Sequence, residues 1–463
     1  MKINDSQFSY SNFRPRRKRR RPFALLSILL LLLLWGGYNT GIYVVLSPGF
    51  PTSTMELIHG VRAFFPLLAA WIALLVILAR GSLKTQALAG PLGLLGFFAA
   101  VGIVSSGLIS KAPLSALYWV AMYEAVVVVL VAVCTYPDAL DVLSRLITLN
   151  WVIDIIILIG LLAAIPSFGG AALVSTSGSP LGVMAYNGAV GSHGTILGMA
   201  STRNTGFARY AGVAAVVALA RLWQGKKWNK LIWAGVMLVA LYALVLAQAR
   251  TETLSFLVGS MVILLLRKRR RVALLGMGVL GVTLLILVGF FQNLWSFGTR
   301  NHSFDPTLTG RTAQWMQGLA VFWQSPWVGL GFQADRYYLH GIQLENAFFH
   351  ALIQTGILGT LAYVAAYALT WFLTARLYLS PCSGKLPDEI PGILAFFTVF
   401  SITESIAYYS AAFLLLAPVL AYIQVAAWQE GVLKGKRSYA RGSAVHMGRR
   451  AFAFYSSEAA GRD

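Results

Sequence analysis

The sequence predicts an all-α polytopic membrane protein of about twelve transmembrane helices with two long periplasmic segments, and three observations predict it. The chain of 463 residues is 57% hydrophobic and 11% charged, with mean hydropathy +0.69, whereas a soluble domain carries roughly 25% charged residues. Apolar runs long enough to cross a hydrocarbon core about 30 Å thick recur from end to end. Lipid offers no hydrogen bonds, so runs of this kind must satisfy their own backbone as helices. The basic residues gather in short runs between the apolar ones, Arg14–Arg21, Lys226–Lys230, Arg267–Arg271 and the tail after Lys434, the pattern that sets membrane orientation.

Taken in order, residues 1–22 form a basic cytoplasmic tail. The first apolar run, Ala24–Leu46, follows basic residues as a signal peptide does. It is too long for such a segment and lacks a small-residue cleavage site, so it is expected to stay as an uncleaved anchor. The integral membrane domain spans 23–433, with helices at 24–46, 57–79, 87–108, 114–135, 147–166, 209–223, 231–248, 253–266, 272–291, 347–375, 391–407 and 411–429. Residues 434–463 are small, polar and basic, a composition expected to be disordered in the cytoplasm. With both termini cytoplasmic, 29 of the 37 Lys and Arg fall on the inside and 8 on the outside, the asymmetry that orientation in a bacterial inner membrane demands. This interspersed distribution, rather than one basic face, excludes nucleic acid as the partner of the +21 charge. Cys134 and Cys382 fall near cytoplasmic helix ends, so no disulfide framework is expected.

Two outer segments are long, 167–208 and 292–346. The first is rich in Gly, Ser and Ala, the second in aromatic and polar residues; loops of such length are commonly functional. Within the second, 310–324 reads as a short helix with Thr309 as N-cap and Ser325-Pro326 as its stop. Its stripe of Met316, Leu319, Ala320 and Trp323 is expected to lie on the membrane or on the bundle.

Arginines on the outer face run against the charge bias. Arg203 and Arg209 flank the start of the sixth span, Arg250 lies in the tight turn between spans seven and eight, and Arg311 opens the short helix. Four guanidiniums at one interface suit a diphosphate, because each can fork onto phosphate oxygens and never loses its charge. The simpler alternatives are a local Arg250–Glu252 pair and snorkelling at the interface. Arg62, Glu124 and Asp154 fall within spans, where an ionisable group is either paired in the bundle or part of a proton or substrate path.

The most specific pattern comes next. Thr309-Gly-Arg311-Thr-Ala-Gln-Trp315 precedes Phe322-Trp-Gln-Ser325-Pro326-Trp-Val-Gly329-Leu-Gly331; Glu345-Asn346 follows, then nine residues and Gly356-Ile-Leu-Gly359. Over about 240–370 this resembles the O-antigen ligase and polymerase superfamily of bacterial surface-polysaccharide enzymes, with their Gly-Arg…Trp helix, Ser-Pro-x-x-Gly-x-Gly turn, His-Asn pair and Gly-x-x-Gly.

The resemblance implies a GT-C-like membrane glycosyltransferase. Such an enzyme moves an undecaprenyl-diphosphate-linked glycan to an acceptor sugar hydroxyl on the periplasmic face, with inversion and with no metal or other cofactor. The implied partners are that donor, a glycan or lipid acceptor, membrane lipids and a chain-length regulator. Arg203, Arg209, Arg250, Arg311 and Asn346 would bind substrate. Glu345 stands where the ligases carry the histidine that activates the acceptor; a carboxylate can serve as that base. This departure favours an O-antigen or exopolysaccharide polymerase over the alternative, a ligase acting on a lipid A-core or other acceptor. A salt bridge from Glu345 to Arg311 or Arg336 is the competing reading, and His340 is the alternative base. His350, on the tenth span, is expected to be packed in the core. A lipid-linked oligosaccharide flippase or transporter is the rival class, but it would be expected to show repeat symmetry, and none is evident.

Overall fold

A computed structural model describes residues 21–38, 52–80, 85–164, 204–224, 227–247, 249–266, 311–339, 344–379 and 386–432. The regular structure among them is helical throughout: α1 (Arg21–Gly37), α2 (Thr52–Arg62), α3 (Phe65–Arg80), α4 (Thr85–Leu88), α5 (Pro91–Leu108), α6 (Pro113–Cys134), α7 (Ala139–Ala164), α8 (Asn204–Gln224), α9 (Lys227–Ala247), α10 (Arg250–Leu266), α11 (Arg311–Phe322), α12 (Ala334–Tyr338), α13 (Ala347–Leu379), α14 (Glu389–Thr403) and α15 (Ala411–Gln429). Eight of these helical stretches are long and apolar enough to cross a membrane, and three shorter apolar ones fall at Ala24–Gly37, Thr251–Leu266 and Glu389–Thr403. The chain is thus a multi-pass membrane protein. The ninth predicted span, 272–291, residues 1–20 and 433–463, most of the outer segment 167–208, and 292–310 and 340–343 of the other lie outside the described residues.

The span 57–79 corresponds to the apolar helical stretch Gly60–Arg80, with a turn at Ala63-Phe64 between α2 and α3, where the Phe64 N–H donates to the Val61 carbonyl at 3.1 Å. Two predicted spans are corrected. The span 87–108 is broken at Ala89-Gly90; Gln424 holds that break, donating to the Ala87 carbonyl at 3.0 Å and accepting from the Leu92 N–H at 3.0 Å. The span 391–407 ends early, at Thr403, because Glu404 adopts an extended conformation, and the irregular stretch 405–410 then leads into α15.

Helix α15 is the hub. Its residues from Ala411 to Ala427 are all buried, and it packs on α5, α6, α7, α13 and α14. In a bilayer, apolar burial is not itself the driving force; close packing and interhelical hydrogen bonds are. Both occur here. Trp35 of α1 donates through Nε1 to Asn150 of α7 at 2.7 Å, and the Asn150 amide donates to the Leu414 carbonyl at 2.9 Å. Helices α10 and α14 meet at Gly259 and Gly392, where a Cβ on Gly259 would fall 2.7 Å from the Gly392 oxygen. Outward, α9 presents Trp228, Leu238 and Val245, the apolar face lipid requires.

Two ends of the bundle can be told apart by contact. At one, Arg80 stacks over Tyr136 and Arg221 bridges Glu389 at 2.6 Å. At the other, Tyr337 donates to Ser115 at 2.7 Å and Lys111 stands over the Tyr338 ring. Arg311, Glu345 and Glu404 also meet at this second end.

Candidate functional site

The site is built on a break in α13. Gly356 has φ 61° and ψ −163°, a conformation essentially reserved for glycine. The break frees four backbone groups, and the Ser325–Gly331 turn takes all of them. Leu330 N–H donates to Ile353 O at 2.8 Å and Gly331 N–H to Gln354 O at 3.0 Å, while Ile357 N–H donates to Pro326 O at 2.8 Å and Leu358 N–H to Trp327 O at 3.1 Å. The two Gly-containing motifs are therefore halves of one lock. Gly329, at φ 75°, lies so close to Gln354 that an added Cβ would stand 2.5 Å from its carbonyl oxygen.

The lock fixes the first half of α13, and Asn346 caps it. The Asn346 Oδ1 accepts from the Phe348 and Phe349 N–H groups, each at 2.9 Å, satisfying donors a helix start leaves open. Its amide donates at 2.6 Å to the Ile402 carbonyl. Both ends of the Asn346 side chain are engaged, and they join Glu345's segment to the end of α14.

That junction places two carboxylates on one arginine. Arg311, the first residue of α11, donates through Nε to Glu345 Oε2 at 2.7 Å and through Nη2 to Glu404 Oε1 at 3.1 Å. The Arg311–Glu345 ion pair foreseen as the competing reading is present. α11 reaches this position by packing Gly318 against Ile353 and Leu344 and by stacking Trp315 on Phe349. Its predicted apolar stripe does not face the bundle: Met316 is 66% and Trp323 73% exposed. The Gly318–Phe322 edge is buried instead, because only glycine allows the two helices so close.

Deeper in, Glu252 in the first turn of α10 is fully buried. It is within electrostatic reach of Glu404, Arg209 and Arg311. Arg209, buried on α8, pairs with Tyr38 and lies beside Tyr210 and Tyr408; its charge also reaches Asp154, buried on α7. The Thr403 hydroxyl donates to Thr251 at 2.8 Å, which brings the backbone at Arg250 to the same corner. Arg209 and Arg311 thus share one acidic cluster. Arg203 and His340 lie outside the described residues, and of Arg250 only the main chain is described.

Sequence reading missed the polar network behind the site. His350 is fully buried, as expected of a packed histidine, but it is also a hub. Its Nδ1 meets the Ser405 hydroxyl and its Nε2 lies 3.3 Å from Asp335 Oδ1, with Gln354 alongside. Burial raises the Asp335 pKa, but His350 and the Leu344 N–H, which donates to Oδ2 at 2.9 Å, outweigh it and hold the carboxyl below its ordinary value. The network ties α12, α13 and the 405–410 stretch together directly beside Glu404.

With this geometry in hand, comparison with known proteins is specific. Residues 235–364, which carry Arg250, Arg311, Glu345 and the glycine lock, match the family described as O-antigen ligase. The chain is also similar to the exopolysaccharide production protein ExoQ of Rhizobium meliloti, at 28% identity over 244 residues, 46% of this chain and 54% of that protein; the match therefore spans about half of the relative's length. The family match covers under a third of the chain and the relative is matched over less than half of it, so each is a similarity of that part of the chain.

Proposed function

We propose that the protein is a membrane glycosyltransferase that polymerises a surface polysaccharide, taking its donor glycan from a polyprenyl diphosphate on the periplasmic face. The observation that carries the reading is Arg311 held between Glu345 and Glu404 beside a second buried arginine, Arg209. Guanidiniums neutralise the charge that develops on a departing diphosphate, which needs no general acid. Glu345 supplies the base: as the acceptor oxygen bonds to the anomeric carbon and the bond to the diphosphate breaks, the acceptor proton passes to the carboxylate. The undecaprenyl carrier, Arg203 and Arg250 as further clamps, the inner-membrane location and a chain-length regulator as partner belong to the same reading. The name of the ExoQ relative, an exopolysaccharide production protein, favours polymer as product. The description of the matched family favours the second reading, ligation of a glycan to a lipid acceptor.

The test uses purified protein in lipid nanodiscs with lipid-linked repeat units as donor and acceptor. Glu345→Gln keeps size and polarity but loses the proton acceptor, so polymer formation should fall by about 10²–10⁴-fold. A Glu345→Gln protein that builds chains at the wild-type rate would reduce Glu345 to a structural partner of Arg311. Product formed only when a lipid A-core acceptor is added would replace polymerase with ligase.

A further inference from the structure

Glu404 belongs to no motif that the sequence singles out, yet it is placed on the least expendable atom of Arg311. A guanidinium can fork onto a phosphate through its Nε/Nη2 edge or its Nη1/Nη2 edge, and Nη2 contributes to both. Glu404 Oε1 lies on Nη2 at 3.1 Å while Glu345 Oε2 occupies Nε at 2.7 Å. The Nε/Nη2 edge is thus shared between two carboxylates, and the Nη1/Nη2 edge has a carboxylate at its common corner. A diphosphate coming to Arg311 must compete with both of these carboxylates.

We propose that Glu404 is a resident counter-anion of Arg311 that competes with the donor diphosphate for its Nη2 corner, so that donor binding exchanges a carboxylate for a phosphate on Arg311. The inference rests on the diphosphate-binding reading of the site. It makes Glu404 a positioning residue: it holds Arg311 in register and sets how strongly the site grips its anionic donor and lets the anionic product leave. A carboxylate at 3.1 Å can yield because the pair is partly solvated, with side-chain exposures of 13% and 15%, and because Glu404 heads the irregular 405–410 stretch rather than a helix interior. The exchange also orders the reaction. Arg311 turned toward phosphate no longer spans Glu345 and Glu404, which leaves Glu345 to the acceptor hydroxyl only once donor is in place.

The experiment measures binding of farnesyl diphosphate to the full-length protein in nanodiscs of neutral lipid. Glu404→Gln keeps the shape but removes the competing charge, and should tighten binding by about tenfold and lower KM for the lipid-linked donor in parallel. Glu404→Asp, which keeps the charge but retreats from Nη2, should fall between Gln and wild type, and it carries the test if the Gln variant is not recovered folded. A merely structural Glu404 could only weaken binding when changed, so unchanged or weaker binding in a folded Glu404 variant overturns the proposal. Arg311→Gln separates this from the reading beneath it. Wild-type binding that needs Arg311, without tightening in the Glu404 variants, sinks the counter-anion alone; wild-type protein that binds no farnesyl diphosphate, or binds it equally well without Arg311, sinks both.

Discussion

Gly356→Ala should disable the protein although it adds a single methyl group. The new Cβ would stand 2.5 Å from both the Trp327 oxygen and the Val328 nitrogen. Both are backbone atoms of the facing turn, so no side-chain rotation relieves the overlap. The alanine would also inherit φ 61° and ψ −163°, which costs an L-residue about 1–3 kcal/mol. Separating the two segments would loosen the four hydrogen bonds that join 326–331 to 353–358, each contributing about 1 kcal/mol. The total of about 4 kcal/mol or more is in the range reserved for severe lesions and far exceeds the helix-propensity gain of about 1 kcal/mol for replacing glycine by alanine. Gly107→Ala on α5 is the control, since its Cβ would meet nothing within 4 Å. The assay is thermal melting by fluorescence-detected size exclusion of the detergent-solubilised protein, with glycan length measured in parallel. Gly107→Ala should melt with wild type, and Gly356→Ala should be recovered poorly and make no product. A Gly356→Ala protein with wild-type melting and product would refute the backbone lock.

Two further outcomes are expected. Asp335 has a folded pKa below its unfolded value near 4, so its charge stabilises the fold above that value, and the contribution is lost as pH falls through the folded pKa. Asp335→Asn should therefore lower stability at neutral pH by about 1–3 kcal/mol, the usual cost of disrupting a buried hydrogen-bonded polar group, and should flatten the loss of melting temperature below pH 4; an unchanged acid profile would remove Asp335 as its cause. Gly259→Leu should push α10 from α14, because even a Cβ there meets the Gly392 oxygen at 2.7 Å, and a variant that melts with wild type would show that this helix contact is not close-packed.

The helical spans were legible because hydrocarbon imposes one rule on every residue that crosses it: α15 begins and ends where its apolar run does, at 411 and 429. The misplaced boundaries have a common cause. Hydropathy averages over residues, whereas helix breaks are decided by single polar contacts. The bend at 89–90 exists because Gln424, more than three hundred residues away, caps it. Ile402, Ile406 and Ala407 keep 391–407 apolar on average, but the helix ends before Glu404, which pairs with Arg311. For α11, periodicity left both the membrane and the bundle open as the partner of the apolar stripe. Its large apolar residues mark the exposed face, and a glycine marks the buried one, because the buried face is defined by how near α13 must come.

In the site, legibility followed chemistry that a linear motif can carry. Arg311 was singled out by its side in the charge pattern and Glu345 by its place in the motif that resembles the ligase and polymerase superfamily, and they meet at 2.7 Å. Asn346 was found by position, and its cap was not foreseen: a residue directly before a helix, with an amide that can accept from its first turn, had a capping role available from local sequence. Glu404, Asp335 and Ser405 carried no such signal, since their meaning depends on contacts across 93, 15 and 55 residues of chain. One clue did exist. Glu404 is an acidic residue at the end of an otherwise apolar span, where an ionisable side chain is usually paired. Its partner Arg311 is shared with Glu345, so removing either acid should change what the arginine binds more than how the helices pack.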